Sequence, residues 1–73
     1  MNVAKQLKHL EEMVDCYAKA MVMVAPQNKQ VIYKGMKAYI ERNSLDNKEL
    51  HDYLTSYANR RSGYWALHQE ETK

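Results

Sequence analysis

Over its first 24 residues the chain repeats apolar side chains at alternating intervals of four and three: Val3, Leu7, Leu10, Val14, Tyr17, Met21 and Val24. That spacing holds them on one side of an α-helix, whereas a strand needs alternation with period two. No glycine or proline interrupts the run before Pro26. A helix over about 2–25 is predicted, packed lengthwise on another helix. Its flanking positions include Ala4, Ala18, Ala20 and Ala25, and small edges widen the apolar face so that one helix can meet two others. Lys5, Lys8, His9, Glu12, Asp15 and Lys19 take the remaining face, with Lys8–Glu12 and Asp15–Lys19 spaced as (i, i+4) ion pairs.

Pro26 closes this helix, because the residue before a proline avoids helical geometry and the ring lacks an N–H. Asn28 is the expected N-cap of a second helix over about 28–43, returning antiparallel. Ile32, Gly35, Met36, Tyr39 and Ile40 form its inner stripe, while Lys29, Tyr33, Lys34, Lys37 and Glu41 point to solvent. A mid-helix glycine costs about 1 kcal/mol against alanine, and close approach of the first helix at Gly35 would offset that.

Asn43-Ser44-Leu45 reads as the next turn. Asp46 with Glu49 has the spacing of a capping box, and Leu45 with Leu50 that of a hydrophobic staple. A third helix is therefore predicted from 46–47, with Leu50, Tyr53, Leu54, Tyr57 and Ala58 as its apolar face. It either stops near Ser62, with Gly63 as the terminating residue, or continues to about residue 69. Residues 70–73 are expected to fray. Residues 1–73 thus read as one all-α domain, an antiparallel helical hairpin plus a third helix.

A chain of 73 residues buries only about 60% of its unfolded surface, and such scaffolds lean on disulfides, a metal or oligomerisation. Cys16 is the only cysteine, so no intrachain disulfide can form, and a lone thiol fits a cytoplasmic setting. A homodimeric helical bundle is expected, with Val3, Leu7, Leu10, Val14 and Tyr17 as its seam. The longest apolar run, Ala20 to Pro26, falls far short of a membrane span. The N-terminus lacks the layout of a signal peptide, and a chain beginning at Met1 reads as a complete product.

Residues that could carry chemistry are few. His9 and Cys16 lie on one helix face, but no close ligand pairs of the zinc type occur, so no metal or cofactor is expected. The acids at 46, 49 and 52 have a structural reason at a helix N-terminus. No phosphate loop or nucleophile elbow is present, and the chain reads as non-enzymatic.

Arg60-Arg61-Ser62-Gly63-Tyr64-Trp65 is the most unusual segment, and Met21 and Met23 form a second feature at the end of helix 1. Tyr, Trp, Arg and Met are the residue types enriched at binding surfaces. If the third helix runs back towards the end of the first, the two features meet. Arg60, Arg61, Tyr64, Trp65, Met21 and Met23 are then the expected partner-binding set of a small regulatory or inhibitory protein. The plainer reading has Tyr64 and Trp65 finishing the core, with the arginines at its rim. A nucleic-acid-binding regulator using Arg60-Arg61-Tyr64-Trp65 is the alternative. Against it stand the acids opening the third helix and a net charge of only +2. The outline is similar to small helical accessory proteins of phages and bacteria, a likeness of architecture with no shared motif.

Overall fold

A computed structural model describes residues 3–69. Among these residues the chain forms three α-helices and one 3-10 turn, with no strand. α1 spans Val3–Met23, the turn Pro26–Asn28, α2 Lys29–Asn43 and α3 Lys48–Leu67. The expectations for Met1, Asn2 and residues 70–73 lie outside the described residues, as does the side chain of Val3 in the expected seam. No helix of the described chain is long and apolar enough to cross a membrane.

Pro26 stops α1 as its chemistry demands: Ala25 is extended, with φ −59° and ψ 147°. The turn then runs directly into α2. Asn28 already has near-helical dihedrals (φ −100°, ψ −5°) and its side chain caps nothing, because a capping side chain needs an extended backbone behind it. Lys29, expected in solvent, is half-buried. Its Nζ donates to the carbonyls of Met21 at 2.9 Å and Val22 at 3.2 Å, and Gln69 Nε2 donates to Val22 O at 3.0 Å. The last turn of α1 has no basic residue of its own, so its open carbonyls are met from α2 and from the residues after α3.

The second turn differs from the capping box expected at Asp46. Asp46 has φ +60°, which places it in the turn and not at the cap. Asn47 is the N-cap, extended at φ −135° and ψ 87°, and its Oδ1 accepts from Leu50 N at 3.1 Å. Leu45 is 75% exposed, so no staple forms with Leu50. Ser44 is buried, and its hydroxyl donates to Ile40 O at 2.5 Å. Gly63 lies inside α3 and has no positive φ, so the helix follows the longer of the two readings and ends at Leu67.

α1 is the central element, packed against both α2 and α3, which touch one another sparingly. Val14, Ala18, Met36, Ile40, Leu54 and Ala58 are buried, and Leu10, Tyr17, Met21, Tyr39, Leu50 and Tyr57 pack around them. Val14 and Ala18 are both fully enclosed, so the middle of the buried face lies between the heptad stripe and its alanine edge. That is the consequence of one helix serving two neighbours. Of the seam residues expected to join two copies, Val14 is fully buried within the single chain, and Leu7, Leu10 and Tyr17 are half-buried. A Cβ at Gly35 would sit 3.4 Å from the Tyr17 ring of α1, at the close edge of ordinary contact.

Candidate functional site

The Arg60–Trp65 segment lies within α3, and helical geometry divides it. Arg61 and Trp65, four apart, face α1 and share one acceptor: Asp15 Oδ1 takes Arg61 Nε at 2.7 Å and Trp65 Nε1 at 2.8 Å. The hydrogen bond that Arg61 donates to the Asp15 carboxylate raises the guanidinium pKa above its ordinary value. Asp15 thus turns to α3 and not to Lys19, its expected (i, i+4) partner. Lys19 instead stands over the Trp65 ring, 4.8 Å from its centroid. These two site residues fasten one helix to another, whereas Tyr64, which the plainer reading also put in the core, is exposed.

Arg60 and Tyr64 point elsewhere. Both are exposed, and the Arg60 guanidinium lies 5.6 Å from the Tyr57 ring. Tyr64 stacks on His68 at 4.1 Å, meets Trp65 edge-on at 5.0 Å, and has the Arg61 guanidinium over it at 4.3 Å. Met21 and Met23 also separate, because two residues along a helix are turned about 200° apart. Met21 packs on the core, whereas Met23 is exposed. The ends of α1 and α3 do meet, through the Gln69–Val22 bond and a cleft lined by Met21, Val22, Tyr33 and Ala66. Of the six expected binding residues, Arg60, Tyr64 and Met23 are exposed, and only the first two stand together.

α3 also shows a surface that reading the sequence missed. Tyr53, Tyr57, Arg60, Tyr64 and Leu67 follow one another at intervals of four, three, four and three along one flank, on which Tyr57 is half-buried against the core and the other four are exposed. Tyr53 and Tyr64 are each 40% exposed and Leu67 84%. Tyr53 lies against Tyr57, with centroids 6.3 Å apart, and its hydroxyl donates to the Glu11 carboxylate. That bond is the main cause of the raised pKa of Tyr53. The interval pattern was present in the sequence, but Tyr53 and Tyr57 were both assigned to the inner face beside Leu50 and Leu54; Tyr57 does pack on the core, whereas Tyr53 is exposed.

A second apolar surface lies between α1 and α2, where Met13, Cys16, Tyr17, Ala20 and Ile32 line a shallow cleft without a charged residue. Among the described residues no group of three or more His, Cys, Asp or Glu side chains could hold a metal ion. No family model, curated protein or solved structure compared with the chain matches it.

Proposed function

We propose that the chain is a non-enzymatic regulatory or inhibitory factor of the cytoplasm that binds a protein partner through the outward stripe of α3. The observation that carries this is that Tyr53, Arg60, Tyr64 and Leu67 stay exposed along one side of α3. Tyr and Arg dominate the energetics of protein interfaces, and contiguous exposed apolar surface marks contact sites. A domain of this size also has little room for the enclosed pocket that general acid–base chemistry needs.

The nucleic-acid reading has less support. Arg61 and Trp65 are engaged by Asp15, and Lys48 pairs with Asp52 at 3.0 Å. Arg60 is then the one cation of the segment facing outward, too little for a phosphate track. Affinity capture from source-cell lysate after nuclease treatment tests the proposal. A protein retained by the wild type and lost from a folded Tyr53→Ala/Tyr64→Ala variant supports it. Retention by both, or nucleic acid as the sole ligand, overturns it.

Self-association is a second reading, favoured by the uncharged cleft between α1 and α2. Cys16 is exposed there, so Cys16→Lys leaves the core intact. A dimer in sedimentation equilibrium that this variant disperses supports the reading; a wild-type monomer at high micromolar concentration removes it.

A further inference from the structure

We infer that the outward stripe of α3 is a docking track for a single amphipathic helix of a different protein, one that carries a carboxylate opposite Arg60. The inference rests on the protein-binding reading above and specifies the partner's chemistry.

The spacing is the first ground. Intervals of four, three, four and three are those of a seam that packs lengthwise on another helix. α3 already has a separate inner stripe, with Leu54 and Ala58 buried and Arg61 and Trp65 bonded to Asp15. The fold uses its outward stripe only in part: Tyr57 packs on the core and the Tyr53 hydroxyl bonds Glu11 of α1, while Arg60, Tyr64 and Leu67 stay exposed. The second ground is order: Tyr53 rests on Tyr57, Arg60 lies over Tyr57, and Tyr64 is held between Arg61 and His68. Rings already fixed against one another lose little freedom when a partner covers them, and this favours binding.

Charge selects the occupant. Arg60 stands midway along the stripe, as far from Tyr53 as from Leu67, and among the described residues no carboxylate forms an ion pair with it. A second copy of this chain is a poor fit. Two copies paired over the whole stripe, parallel in register or antiparallel about a two-fold axis, set Arg60 against Arg60 at the centre of the contact. Like charges facing one another in an interface suppress that pairing, while an opposing carboxylate gains both the charge and the bidentate geometry of a guanidinium. Gly63 adds an independent sign. It lies mid-helix beside the stripe, and a Cβ built there meets nothing within 4 Å. Among the described residues no contact accounts for the missing side chain, whereas a helix approaching from outside would use the space.

The probe is a labelled synthetic amphipathic peptide of about three heptads with leucine at its seam and glutamate at the flanking positions, beside the same peptide with lysine in place of glutamate. Fluorescence anisotropy against the full chain should show the glutamate peptide binding about tenfold more tightly, with the difference shrinking as salt rises. Arg60→Glu, at an exposed position where circular dichroism should report an unchanged fold, should reverse the preference. Tyr53→Ala/Tyr64→Ala should weaken both peptides. The inference is overturned if neither peptide binds, or if Arg60→Glu leaves the preference unchanged. It is also overturned if an oligonucleotide binds this face more tightly than the glutamate peptide, or if sedimentation finds a dimer dispersed by Leu67→Lys. A cellular partner that needs Tyr53 and Tyr64 but ignores Arg60→Glu would end the acidic-helix inference while the protein-binding reading stands.

Discussion

Asp46 and Asn47 are neighbours of similar size with opposite backbone requirements. Asp46 lies at φ +60°, where an L side chain crowds the backbone and Gly, Asn and Asp are best tolerated. Asn47 is extended and caps Leu50 N. Asn47→Ala is expected to cost about 1 kcal/mol in denaturant unfolding. Asp46→Gly should cost little or stabilise slightly, since it relieves the left-handed residue while loosening the unfolded chain. Equal losses at both positions would return the cap to Asp46. Tyr53 gives a pH-dependent test at the same scale. Its hydrogen bond to Glu11 raises the phenol above its ordinary value of 10.0 in the folded state. A raised folded value means that this contribution to stability is complete below the ordinary value and is lost as pH rises through the folded one. Alkaline titration followed by tyrosinate absorbance should show a late-ionising group that Glu11→Ala brings forward. Tyr39, raised chiefly by burial and next by Tyr17, should not move with it. A titration curve indifferent to Glu11→Ala would remove Glu11 as the cause.

At the scale of elements, each junction of α1 depends on a polar group supplied by another segment. Lys29 closes its C-terminal carbonyls, and Asp15 ties it to α3 through both Arg61 and Trp65. Removing Asp15 leaves a half-buried indole N–H and a guanidinium without their shared acceptor. Asp15→Ala is expected to destabilise by about 1–2 kcal/mol, in the range for a lost charge-assisted bond at a partly exposed site. Trp65 emission should shift to the red as the ring meets more water. Unchanged emission together with unchanged stability would show that shape alone seats Trp65.

For the whole molecule, the question is whether α1 belongs to one chain's core or to an interface between chains. Val14 has no exposed surface in the single chain, so Val14→Lys must bury an unpaired ammonium, which costs several kcal/mol. Small domains have stabilities near the low end of about 5–15 kcal/mol. The variant is therefore expected to lose its cooperative thermal transition by circular dichroism at every protein concentration. A folded Val14→Lys monomer would instead place that residue at a contact between copies.

The three helices and their order were determined by the sequence alone, because local signals agree there: the long period of α1, Pro26 after it, and the inner stripe of α2 around Gly35. Those signals act within a few residues and survive any tertiary arrangement. The tertiary structure decided what Asp15 bonds, which of Asp46 and Asn47 caps α3, and whether Tyr53 faces the core or solvent. Each depends on distant groups or on competition between similar neighbours. A tyrosine suits either side of a helix, since its ring is apolar and its hydroxyl can reach water or a carboxylate. Only the position of α1 against α3, which places Glu11 within reach of Tyr53 and Asp15 within reach of Trp65, seated Tyr57 and Trp65 against the fold and left Tyr53 and Tyr64 exposed.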